Sequence, residues 1–277
     1  MSHNPVIFSC EPISDGECAL RTAHHLAGEV ILPDEYEGRR VVAIDPDDFH
    51  YDGPTSLIVP EGVLILCDNA FINDAELTSV TLPDSLFHTG TNPFLNSGVQ
   101  EIHINADHPC FSFRDGCLID KAERGLISVL ENQFGPEIIL PEGLIFIGES
   151  ALELFNEPHS VYVPDGVEEI GHRAFNQFWQ LGRLSLPNTL RSIDSYAFQG
   201  CWQTQDMHLT LPEGLRSIGR RAFNDCPRLH SVTLPATVTE ISPDAFRCAK
   251  DFVLRVYAGS SAERYAREYG IPFVVIG

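Results

Sequence analysis

The sequence predicts an α/β repeat solenoid, mostly short strands with tight or helical turns, and three observations carry that prediction. An aliphatic–proline pair recurs along the 277 residues, mostly at 23-residue intervals. Ten residues after seven of those prolines, a small residue is followed by a large apolar one. Both ends of the chain depart from the repeat in ways that suit caps. Self-similarity at such a period marks stacked supersecondary units rather than a conventional globular core.

The aliphatic–proline pairs are Leu32-Pro33, Val59-Pro60, Leu82-Pro83, Leu140-Pro141, Val163-Pro164, Leu186-Pro187, Leu211-Pro212 and Leu234-Pro235. The small–large steps are Ala70-Phe71, Pro93-Phe94, Ala151-Leu152, Ala174-Phe175, Ala197-Phe198, Ala222-Phe223 and Ala245-Phe246. The unit reads L-x-x-V-x-L-P-x-x-L-x-x-I-x-x-x-A-F, as in 229–246. Its first six residues alternate toward their end, which suits a strand with one buried face. Proline then stops the strand, because it has no amide to extend a ladder. The Leu and Ile that follow return to the core, with Thr89 the one departure. Alanine fits close coil stacking and phenylalanine fills the interior, so each copy needs its neighbours to bury its apolar face.

These residues resemble the BspA-like, or Treponema pallidum-type, bacterial leucine-rich repeats over about residues 30–258. The resemblance implies a single right-handed leucine-rich-repeat superhelix with a parallel sheet lining one side. Within one domain, residues 1–30 form an N-terminal cap, with a hairpin signal at Ser14-Asp15-Gly16. Residues 31–258 hold the repeats, and residues 259–277 a C-terminal cap. In that cap Ser260-x-x-Glu263 has the capping-box pattern, and Ala262, Tyr265, Ala266 and Tyr269 follow at helical spacing. An enlarged coil at about 105–136 reads as a β-meander standing off the solenoid, around a turn at Asp115-Gly116.

Composition narrows the function. The chain has 39 acidic and 18 basic residues, a formal charge of −21, which repels phosphate backbones and anionic lipid heads. Neither nucleic-acid binding nor membrane insertion is expected, and the strand-sized apolar runs fall short of a spanning helix. The eight cysteines form no C-x-x-C pair and no export signal is visible, which predicts reduced thiols in the cytoplasm. A leader already removed would move the chain to the cell surface. Cys201 and Cys226 each follow a repeat phenylalanine by three residues, and adjacent coils leave a disulfide sterically open. The resemblance favours small buried thiols in that slot.

No phosphate loop, nucleophile elbow, zinc-protease helix or dinucleotide fingerprint is present, so no enzyme, cofactor or metal site is predicted. Gly148-Glu149-Ser150 imitates an elbow but belongs to the repeat turn. His24-His25 reads as a solvated pair, and Asp47-Asp48 and Glu168-Glu169 as solubilising surface. What remains is the row of strand positions flanking each central aliphatic. Thr78, Thr81, Gln100 and His103 belong to its earlier part, and His159, Tyr162 and Arg183 to its middle. His208, His230 and Thr233 continue it. Trp179 and Trp202, each four residues after a repeat phenylalanine, read as neighbouring rim residues, both partly exposed and Trp202 the more accessible. The expected function is a monomeric, non-catalytic scaffold that binds a protein or peptide on its concave strand face. By resemblance, the alternative is a surface or secreted adhesin.

Overall fold

The computed structural model describes residues 7–24, 27–48, 53–157, 159–203, 206–248 and 251–277; side chains at 7, 22–24, 46–48 and 159 are outside that description. The side chains of the candidate pairs His24-His25 and Asp47-Asp48 and of His159 therefore lie outside the description. The chain divides into two compact units, one of residues 1–122 with 127–133 and one of residues 123–126 with 134–277.

Both units are built from coils whose backbone bonds run from each coil to the next. In the first unit the strands Glu29–Ile31, Ser56–Ile58, Ser79–Thr81 and Glu101–His103 form a parallel sheet, with Val30, Leu57, Val80 and Ile102 in register. In the second unit Glu137–Ile139, His159–Tyr162 and Leu181–Ser185 form one parallel sheet. Met207–Thr210, Leu229–Thr233, Val253–Val256 and Phe273–Val275 form another. Where the next coil continues the sheet, the residue before the proline supplies the last rung. Val59 donates to Thr81 O at 3.0 Å, Val163 to Ser185 O at 3.0 Å and Leu234 to Arg255 O at 2.9 Å. Proline then has no N–H to give, and the strand ends.

Two further ladders complete each coil. Two-residue strands form the second, with Ile147, Ile170, Ile193, Ile218 and Ile241 in parallel register in the second unit. In the first unit Ile44, Leu66 and Thr89 hold the same relation, and Thr89 is half-buried. The third ladder runs through the Ala-Phe turns. Arg173, Phe175 and Gln177 donate to Ser195, Ala197 and Gln199 carbonyls at 3.1, 2.8 and 2.7 Å. Tyr196, Phe198 and Gly200 repeat this to Arg220, Ala222 and Asn224 at 2.8, 2.8 and 2.9 Å. The intervening amides close turns within the coil, as Asn176 does to Arg173 O at 2.9 Å. Left-handed residues at both ends of the turn, such as Arg173 (φ 53°) and Gln177 (φ 55°), accompany this alternation.

Inside the coils the phenylalanines stack. Phe175 and Phe198 lie 4.9 Å apart between ring centres, Phe198 and Phe223 5.3 Å, and Phe223 and Phe246 5.1 Å, with interplanar angles of 14°, 11° and 2°. Phe175, Phe198 and Phe223 are fully buried, as are Ala174, Ala197 and Ala222. In the first unit Phe71 and Phe94 stack at 5.6 Å.

The N-terminal strands Ile7–Ser14 and Glu17–His24 form the expected antiparallel hairpin, and the second of them pairs in parallel with Arg39–Asp48. It thereby covers the edge of the second ladder in the first unit. At the other end the helix Ser261–Glu268 starts at Ser260, whose Oγ accepts the Glu263 amide at 3.1 Å. The Glu263 carboxylate accepts from Gly259 N at 2.7 Å, one residue earlier than a reciprocal box requires. The Arg267 guanidinium, and then the Gly259 amide, hold this carboxyl below its ordinary range. Ala262, Tyr265 and Ala266 face inward, and Tyr265 meets Phe246 at 6.3 Å. Tyr269, placed by its spacing on the same face, is the C-cap and is exposed.

The enlarged coil does not stand off. The strands Phe111–Arg114 and Cys117–Asp120 form a hairpin whose Phe111 and Leu118 belong to the first unit's core, together with Leu130. His108 is fully buried and anchors it. Its Nδ1 accepts from Cys110 N at 3.2 Å and Phe111 N at 3.0 Å, leaving the proton on Nε2 to reach Pro83 O at 3.0 Å. Within the second unit Gly125 and Leu126 pair in parallel with Phe146 and Ile147, and a Cβ on Gly125 would meet the Phe146 ring at 2.1 Å.

Removing one ring from the stack should be felt on both sides. Phe198→Ala is expected to cost about 3–5 kcal/mol, because Phe175 and Phe223 both lose a face. Denaturant unfolding checks this, and an unchanged midpoint would contradict the packing described.

Candidate interaction surface

The strand sheets bury their central residues and present the flanking ones. In the first unit Thr81 and His103 stand in one outward row with Ile31 and Ile58. Thr78 precedes its strand and donates to Thr55 O at 2.8 Å. The Gln100 carbonyl accepts from the Gln133 side chain, and His103 lies 3.5 Å from Glu101.

In the second unit the expected row is divided. Leu181–Ser185 and Met207–Thr210 belong to separate sheets, so Arg183 and His208 are not ladder neighbours. The two-residue lengthening of this repeat falls between them. On the first of these sheets Tyr162 donates to Glu137 at 3.3 Å, and Arg183 is exposed. On the second a polar network forms. His208 Nδ1 lies 2.8 Å from Ser231 Oγ, and its ring is 5.8 Å from that of His230. His230 Nε2 reaches Asp206 Oδ1 at 3.0 Å, and Arg228 stands 3.5 Å from the same oxygen. The hydrogen bond from His230 is the main influence holding the Asp206 carboxyl below its ordinary range. Thr233 is half-buried in register with Thr210.

The two tryptophans reverse the expected order of exposure. Trp179 is 45 % exposed and Trp202 is fully buried, so Trp202 is removed from the candidate surface. Its backbone is left-handed, at φ 53°, and its indole stacks on Phe198 at 5.8 Å. Its Nε1 donates to Gly182 O at 3.4 Å. Earlier coils carry Phe155 and Phe178, tilted against each other at 5.1 Å, where this one has the small Cys201. Trp202 supplies the missing apolar volume.

Large aliphatic residues were absent from the sequence-derived row. Ile31 is 65 % exposed and Ile139 63 %, and Ile139 lies in register with Tyr162. The alternation in Glu137-Ile138-Ile139 carried that signal, since Ile138 is buried and its neighbours must point outward.

The buried thiols of Cys201 and Cys226, and the half-buried one of Cys248, have a positive role. Cys201, Cys226 and Cys248 point their Sγ at the carbonyls of Phe175, Phe198 and Phe223, at 3.0, 3.1 and 3.0 Å. Burial raises all three thiols above their ordinary range, Cys248 to about 12. None is poised as a thiolate nucleophile. Among the described residues no group of three or more His, Cys, Asp or Glu has metal-site geometry, and no helix is long and apolar enough to cross a membrane.

Stacked coils, phenylalanine spine and strand sheets define a leucine-rich-repeat protein. The chain belongs to the BspA-type leucine-rich-repeat family, whose model matches residues 42–118 and 130–252 in six copies. The crystal structure of a leucine-rich cell surface protein from Faecalibacterium prausnitzii is similar over 88 % of this chain, with a TM-score of 0.68 and 24 % identity. This chain spans 63 % of that protein. The crystal structure of the pneumococcal vaccine antigen PcpA is similar over 100 % of this chain and 98 % of its own, with a TM-score of 0.54 and 15 % identity. At these identities the likeness is one of fold. No curated protein matches the chain.

Single-tryptophan variants should separate the two indoles. With Trp202 alone, in Trp179→Phe, emission should be blue-shifted and resist acrylamide; with Trp179 alone, in Trp202→Phe, it should be quenched readily. Equal quenching of both would contradict the inward turn of Trp202.

Proposed function

We propose that the chain is a non-catalytic, monomeric scaffold that binds a protein or peptide through the outward faces of its strand sheets. The observation that carries this reading is the presentation of exposed side chains at fixed spacing on those sheets. Ile139 and Tyr162 supply apolar contact beside polar anchors at Glu137 and Arg183. The second sheet adds His208, His230 and Ser231. Apolar and aromatic groups ringed by polar ones are the composition of a protein-binding surface. Buried thiols bonded to carbonyls suit a reducing compartment and support a cytoplasmic setting.

A second reading, a surface adhesin of the BspA-like type, is favoured by one observation. The similar F. prausnitzii structure is that of a cell surface protein, and the similar pneumococcal one that of a vaccine antigen.

Crosslinking capture from source cells tests both readings, with Ile139→Asp plus Tyr162→Ala as the control. The scaffold reading expects one soluble partner that disappears with the variant while the melting temperature holds. Capture unchanged by the variant would remove the strand face from the account. Protease accessibility of the protein on intact cells would favour the adhesin.

A further inference from the structure

The acidity of this chain is segregated. The first unit holds 21 acidic and 5 basic residues, the second 18 and 13. Within the second unit, residues 172–221 invert the sign, with six arginines against Asp194, Asp206 and Glu213. Several of these cations gather on the turns, away from the strand sheets. Tyr196 lies between arginines of the two adjacent coils, its ring centre 5.9 Å from the Arg173 guanidinium carbon and 6.0 Å from that of Arg221. His172 meets the same ring edge-on at 5.5 Å. Arg220 and Arg221 share Asp244, each Nε 3.2 Å from Oδ2. Arg173 is exposed and has no carboxylate partner among the described residues.

The backbone makes this cluster informative. Arg173, Tyr196 and Arg221 have φ of 53°, 62° and 52°, the left-handed region that asparagine and glycine occupy at lower cost. Asn69 holds the same repeat position in the first unit, at φ 55°. Three successive coils therefore carry bulky cationic or aromatic residues where the repeat accepts asparagine. None of the three is buried in the core, so packing does not offset the strain. Strained residues that the core does not require point toward function.

We propose that Arg173, Tyr196 and Arg221, flanked by His172 and Arg220, form a docking strip for an acidic peptide segment lying along the coil stack. Arg173 and Arg221 are two coils apart, a separation of roughly 10 Å at the inter-strand spacing. Three residues of polyproline-II chain rise about 9 Å and bring the side chain back to the same face. Carboxylates at i and i+3 thus meet the two guanidinium groups, which the Tyr196 ring between them holds in place. The charge of the remaining surface disfavours a long polyanion, which selects a short segment. This strip is separate from the strand faces and does not depend on them.

The test uses the full chain and a fluorescein-labelled peptide containing Glu-Tyr-Ala-Glu, followed by anisotropy at several salt concentrations. The comparison peptide carries Gln in place of both Glu. The variants are Arg173→Asn and Tyr196→Asn, each installing the residue that the repeat itself uses at Asn69. Expected are binding that weakens with salt, a loss of about fivefold or more for each variant and for the Gln peptide, and melting temperatures unchanged or raised. Equal binding of both peptides, or unchanged affinity in both variants, overturns the proposal. So does a fall in melting temperature in both variants, which would make the cluster structural. Preferential binding of a sulfated polysaccharide at the strip would assign it to a different class of ligand and overturn the peptide reading.

Discussion

Each coil of this protein satisfies its backbone through hydrogen bonds with the coils on either side of it, and most other features follow from that constraint. A coil of 23 residues offers amides at the strand, at the two-residue strand and at the Ala-Phe turn, and in each place the partner is the carbonyl of the neighbouring coil. An unpaired buried amide is costly, so the period cannot drift at any of the three ladders. The phenylalanine stack is a consequence. Once the turns are fixed one above another, rings at the same position fall about 5 Å apart and nearly parallel, as Phe223 and Phe246 do at 5.1 Å and 2°.

The same constraint explains where the repeat yields. The lengthening around 203–206 is tolerated because it falls between strands, and its effect is to separate Leu181–Ser185 and Met207–Thr210 into different sheets. Trp202 turns inward there and bonds to Gly182 O, so the break is filled rather than left open. The ends obey the constraint too. The N-terminal hairpin pairs with Arg39–Asp48, and the C-terminal helix lays Tyr265 against Phe246. Phe273–Val275 then closes on Val253–Val256.

Much of this was legible in the sequence. The 23-residue spacing, the proline stop, the phenylalanine stack and both caps are carried by residues with one strong physical preference each. The second ladder was not, because Ser192-Ile193 or Ser217-Ile218 contributes a single apolar residue, too short a run to show alternation. The turn ladder was hidden because its left-handed positions hold Ser150, Arg173, Tyr196 and Arg221 rather than glycine. Trp202 was misplaced for a related reason: counting from Phe198 gives its position but not the handedness of its backbone. On the candidate surface Thr81, His103 and His208 stood where alternation put them. Ile31 and Ile139 were overlooked because an outward apolar residue looks like core until its buried neighbour is identified.

Native-state hydrogen exchange on the turn amides tests the central claim most directly. If coil-to-coil bonding at the turns holds the structure, the amides of Phe175, Gln177, Phe198, Gly200 and Phe223 should be protected as strongly as the strand amides of Val161 and Val232. Exchange of those turn amides at loop rates, while the strands stay protected, would contradict it.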